Sequence, residues 1–122
     1  MQKLTPAKIK NLLVKILKEH KAIDVKSLNV SKLTDIADYM IIATANSTTH
    51  TRALIAKSYA TLVSSKVMPL SIEEDRNREW VLADFGSVIL HVMVASIRKF
   101  YELEKLWGVD KIIKSKMQLQ EQ

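Results

Sequence analysis

The sequence predicts an α/β domain built on a mixed sheet of about five strands, with helices mainly on one face. Three observations carry that prediction. The continuous apolar run Tyr39–Ala45 has the length and density of a strand covered on both sides. Residues 80–85 and 88–94 are two further apolar runs that flank Gly86-Ser87 and read as a tight hairpin. Stretches with apolar residues at helical spacing lie between and around these strands. Such an alternation calls for a strand–helix–strand unit, here residues 39–72, with one parallel pairing.

With 122 residues the chain has room for one domain and one sizeable core. Its 48% hydrophobic and 26% charged content is ordinary for a soluble globular protein. Cysteine is absent, which excludes disulfides and thiolate metal sites and fits a reducing compartment. No apolar run approaches the roughly 20 residues that a membrane span needs. The net charge of +6 is concentrated at one end: six lysines stand against Glu19 in residues 1–21, while residues 22–107 are balanced. A neutral body argues against base reading by the core. Phosphate contact by the first helix remains open, with Lys8, Lys15 and Lys18 as its candidates.

Thr5-Pro6 gives an N-cap followed by proline at the first helical position, so a basic helix spans 5–19. Ile9, Leu12, Leu13, Ile16 and Leu17 form its docking stripe. This lysine-rich start also faintly resembles an organelle-targeting segment, although it lacks arginine. A short strand follows around 22–28, and the run Tyr39–Ala45 is the central strand. Ser47 caps a long helix reaching about Lys66, whose buried side is expected to include Ala53, Leu54, Ala56, Tyr59, Ala60, Leu62 and Val63. Residues 67–72 are a loop entering a short strand, and Glu73-Glu74-Asp75 is an acidic loop. After the hairpin, Ser96 caps a helix that stops at Gly108, and a polar tail occupies 109–122.

Side chains alternate along a strand, so the hairpin has two distinct faces. Val81, Ala83 and Phe85 join Val88, Leu90, Val92 and Val94 on an aliphatic side suited to burial under helices. Trp80, Leu82 and Asp84 join Ile89, His91 and Met93 on a mixed side. Composition leaves two readings of the mixed side open: it finishes the core, or it stays partly open and touches a partner.

Familiar chemistry is hard to assemble from these residues. Asp84-Phe85-Gly86 matches a magnesium-holding tripeptide of kinases, but it lacks a glycine-rich phosphate loop and reads as a turn. His20, His50 and His91 fall in three separate elements, without a pair at zinc-ligand spacing. Nucleotidyl transfer needs a Gly-Ser turn and two carboxylates one residue apart on a strand. Ala45-Asn46-Ser47 lacks the glycine, and Glu73 and Asp75 have the spacing but are expected in a loop. The expectation is a protein without catalytic activity, metal or cofactor.

Several motifs taken together resemble a known family. Thr34-Asp35, the run from Asp38 to Ser47, and His50 resemble the first signature of the ribosomal silencing factor family, also called Iojap-like. Residues 80–86, Val88 to Val92 with His91, and Arg98 with 101–107 resemble the second, so the likeness covers about 22–108. It implies a nucleotidyltransferase-like fold without catalytic residues. It also implies binding to the fourteenth protein of the large ribosomal subunit, which blocks joining of the small subunit and represses translation. Bacterial members act in the cytoplasm, and relatives serve mitochondria and plastids. Ala45 and Ser87 depart from the pattern, standing where many members carry glycine and aspartate.

Carried onto this chain, the resemblance makes the mixed face the expected docking surface. Trp80, Leu82, His91 and Met93 would form an apolar patch, and Asp84, with Glu73, Glu74 and Asp75, would answer basic side chains. Tyr101, Glu104 and Trp107 share one helix stripe and either extend the patch or pack the last helix on the sheet. His50 is expected to order its helix start. On this view Trp80→Ala lowers binding while the fold survives, and the bare patch favours a homodimer when no ribosome is bound.

Overall fold

The computed structural model describes residues 4–101, with side chains through Arg98. Helix α1 spans Pro6–Glu19, strand β1 Ile23–Asn29, β2 Tyr39–Ala45, helix α2 Thr48–Ser64, β3 Ser71–Glu74, β4 Trp80–Asp84, β5 Val88–Val94 and α3 Ala95–Tyr101. The sheet is mixed and five-stranded, in the order β1-β2-β5-β4-β3. Both expected N-caps form: Thr5 Oγ1 accepts from the Lys8 N–H, and Ser47 Oγ from the His50 N–H.

The parallel pairing differs from expectation. β2 pairs in parallel with β5, not with the strand that follows α2. β3 runs in the same direction as β2 but lies at the far edge, because the hairpin of β4 and β5 inserts between them. Glu73 and Glu74 therefore belong to an edge strand, and only Asp75 begins the turn. Helix α3 also starts two residues earlier than a Ser96 cap would place it, directly out of β5.

Hairpin register bears out the two faces. Trp80 stands opposite Met93, Leu82 opposite His91 and Asp84 opposite Ile89. On the aliphatic face Val81, Ala83, Phe85, Val88, Leu90 and Val92 join Ile41, Ala43 and Ala45 in a core roofed by Ile9, Leu13 and Leu17 of α1 and by Leu54, Ile55 and Leu62 of α2. The buried residues of α2 are Thr51, Leu54, Ile55, Ser58 and Leu62, so the expected set shifts by part of a turn and Tyr59 is left exposed. Small Thr51 and Ser58 are fully buried beside Leu54 and Leu62, and the Thr51 hydroxyl donates to the Ser47 carbonyl at 3.0 Å.

Neither α1 nor α2 ends on glycine. Lys21 and Lys66 adopt left-handed backbone at φ 68° and 65°. The N–H after each donates five residues back, Ala22 to Leu17 and Val67 to Leu62. This is the Schellman closure with lysine in the position that usually favours glycine. Glycine is instead used at the hairpin, where Gly86 has φ +87° and its N–H donates to the Asp84 carboxylate at 2.8 Å.

Candidate functional site

The mixed face is a second core. Trp80 is 1% exposed, and Leu82, His91 and Met93 are fully buried. They pack with Val30, Ala37, Met40, Ile42 and Ile89, and Leu28, Ile36 and Ile97 close the rim. The expected open docking patch is therefore corrected: these four side chains lie inside the protein. Two further segments seal them. Residues 30–38 fold over the sheet, anchored where the Ser87 carbonyl accepts from the N–H groups of Asp38 and Tyr39 at 2.8 and 3.1 Å. α3 then lays Ile97 against the same side. The exposed patch that motivated self-association is gone with it.

Its indole and one imidazole nitrogen pair with each other. Trp80 Nε1 donates to His91 Nδ1 at 3.0 Å, with the two ring centroids 5.8 Å apart. An accepting Nδ1 leaves the His91 proton on Nε2, the neutral tautomer that a buried position favours. Asp84, 8% exposed, is a turn cap through Gly86, and does not present charge to a partner. Asp75, 5% exposed, likewise builds the β3–β4 turn, its carboxylate accepting from the Glu79 and Trp80 N–H groups at 2.8 and 3.2 Å. Only Glu74 of the acidic trio is well exposed, and Arg78 Nε stands 3.6 Å from it.

Tyr101 closes α3, but its side chain lies outside the described residues, as do Glu104 and Trp107. What leads to them is firmly held. Arg98, 6% exposed, donates from Nη1 to the Asp24 carbonyl and, at 3.0 Å, to Thr44 Oγ1; its Nη2 stands 3.4 Å from the Asp24 carboxylate. Asp24 reaches this position because β1 is irregular there, with φ +49° and a register shift between Ile23 and Lys26. His50 performs a similar service between helices. Its Nδ1 accepts from the Asn46 N–H at 2.9 Å and its Nε2 donates to the His20 carbonyl at 2.8 Å, which ties the start of α2 to the end of α1. The expectation that His50 orders its helix start holds, with α1 as an added partner.

Sequence reasoning missed the apolar surface that is exposed. Met68, Leu70 and Ile72 are 58%, 74% and 44% exposed at the β3 edge. Beside them Ile55, Ala56, Tyr59, Ile72 and Val81 line a cleft of about 200 Å³ rimmed by Arg52 and Glu74. Pro69 between two apolar residues was the available signal. Lys8, Lys15 and Lys18 are exposed along α1. Among the described residues no group of three or more His, Cys, Asp or Glu side chains is placed to hold a metal ion. No helix among them is long and apolar enough to cross a membrane.

Comparison with known proteins extends the likeness to nearly the whole chain. Residues 3–122 match the family model described as "Ribosomal silencing factor during starvation". A ribosomal silencing factor from Chromobacterium violaceum is 36% identical over 103 residues, which cover 84% of either chain. A mouse protein named for mitochondrial assembly of the ribosomal large subunit is 33% identical over 100 residues, 80% of this chain and 44% of that one. A crystal structure of a Chromobacterium violaceum protein superposes with a TM-score of 0.82 at 34% identity, covering 86% of this chain and 88% of the other.

Proposed function

Because the chain belongs to the ribosomal silencing factor family, we propose that it binds the large ribosomal subunit through its fourteenth protein and keeps the small subunit from joining. The family match across residues 3–122 carries this reading. The mechanism is occupancy. A bound domain on a surface that the small subunit must meet represses translation without making or breaking a bond. The proposed place of action is the cytoplasm.

The sealed Trp80 face gives this role a rigid platform instead of a contact patch. We place the contact on the stripe of Tyr101, Glu104 and Trp107, the two aromatics as anchors and Glu104 answering a basic side chain. Arg98 fixes where the helix leading to that stripe leaves the sheet. A standard interface buries roughly 800 Å² per partner, and a few aromatic anchors supply most of its energy. Exclusion of a competing subunit calls for micromolar affinity or better, about −8 kcal/mol.

Gradient sedimentation of purified subunits tests the reading. The protein should travel with large subunits and lower the yield of joined ribosomes. Tyr101→Ala with Trp107→Ala should weaken binding by about 2–4 kcal/mol while the melting temperature holds. Normal joining of subunits in saturating protein would overturn the proposal, and magnesium-dependent turnover of a nucleoside triphosphate would replace it with an enzymatic one.

A further inference from the structure

Helix α1 buries Ile9, Leu13 and Leu17, a stripe at four-residue intervals, against the aliphatic core. At 3.6 residues per turn, Lys8, Lys15 and Lys18 fall within an arc of about 80° opposite that stripe, and about 15 Å of helix axis separates the first from the last. All three are exposed. The first turn holds no acidic residue, so Lys8 sits near the positive end of the helix dipole, where a lysine opposes helix formation. Among the described residues no ion pair engages Lys8 or Lys18. Glu19 lies 3.9 Å from Lys15, but with side chains 71% and 51% exposed the pair neutralises little. Lys10, by contrast, is used internally, its Nζ 5.3 Å from the centre of the Tyr39 ring.

The surface between these cations is not purely polar. Half-buried Leu4 and Leu12 floor a shallow cleft of about 370 Å³ whose other lining residues are Lys8, Asn11 and Lys15. Ammonium groups around an aliphatic floor match a ribose–phosphate backbone, with phosphates on the lysines and sugar faces on the leucines. An anionic membrane fits less well, because the main apolar stripe of α1 is already spent in the core and nothing comparable remains to enter a bilayer. We infer that the outward face of α1 is a second attachment surface that grips ribosomal RNA backbone through Lys8, Lys15 and Lys18, without reading sequence. The inference rests on the large-subunit reading only for the source of the RNA; its charge complementarity stands apart from the docking stripe.

A short RNA duplex of arbitrary sequence and the full chain, followed by fluorescence anisotropy, provide the test. Three phosphate contacts predict that affinity falls about 40-fold between 50 and 200 mM salt. The triple variant Lys8→Gln, Lys15→Gln, Lys18→Gln should bind at least tenfold more weakly at 50 mM and show almost no salt dependence, with its circular-dichroism melt unchanged. It should also lose affinity for purified large subunits while still binding the isolated fourteenth protein like the parent chain. Equal affinity and equal salt slope for parent and variant would overturn the inference. So would binding to phosphatidylserine vesicles or polyglutamate but not to RNA. Failure of the docking reading looks different: Tyr101→Ala with Trp107→Ala would leave subunit binding and joining intact while the RNA salt slope persists.

Discussion

Under α1 and α2 the sheet presents Val81, Ala83, Phe85, Val88, Leu90 and Val92, whereas its other side presents Trp80, Leu82, Ile89, His91 and Met93. Both sides are buried, but they are closed by different means. The first is an aliphatic surface roofed by two long helices, which need no polar partner from the sheet. The second contains an indole N–H and an imidazole, and the indole is buried at low cost because the imidazole Nδ1 accepts its proton. Polar atoms on an otherwise apolar strand face thus signal internal pairing as readily as a docking surface. The helices of the two sides are also tied down differently. His50 joins α1 to α2 through backbone groups, while Arg98 fastens α3 to the irregular edge of β1.

Three substitutions probe that contrast. The largest effect is expected at Trp80. Trp80→Ala should destabilise the fold by about 3–5 kcal/mol, through the cavity and the stranded His91 acceptor, against about 2–5 kcal/mol for Leu90→Ala on the aliphatic side. Urea denaturation measures both, and an unchanged midpoint for Trp80→Ala would return the indole to the surface. Arg98→Ala should come next, at about 2–3 kcal/mol, since it removes charge-assisted bonds to the Asp24 carbonyl and the Thr44 hydroxyl. The half-exposed Asp24 carboxylate adds little to that figure. The smallest change, about 1 kcal/mol, is expected for His50→Ala, whose bonds lie near solvent. A larger loss for His50 than for Arg98 would invert the ranking of the two ties.

Much of this architecture was legible beforehand. The helix starts at Thr5 and Ser47 follow from hydroxyl side chains that satisfy exposed N–H groups, a strictly local requirement. The hairpin turn follows from Gly86, whose positive φ suits a residue without Cβ. The ends of α1 and α2 fall within two residues of their expected places, although Lys21 and Lys66 occupy left-handed positions where glycine is the usual mark. The expected parallel partner of β2 lies two strands too early in the chain. Nothing local distinguishes a strand that pairs next to its predecessor from one displaced by an inserted hairpin. Asp84 and Asp75 looked like surface charge, yet their neighbours' N–H groups draw both carboxylates into turns.

The sequence alone decided which side chains share a face of the hairpin, because alternation is a property of extended backbone, and it decided the family through motifs distributed along the chain. Exposure was settled only in three dimensions. Whether Trp80 and His91 meet water depends on residues 30–38, about 40 to 60 residues earlier in the chain, and on α3, the helix directly after β5, both of which reach the same side of the sheet. Burial is a relation among distant segments, and no spacing within one strand encodes it.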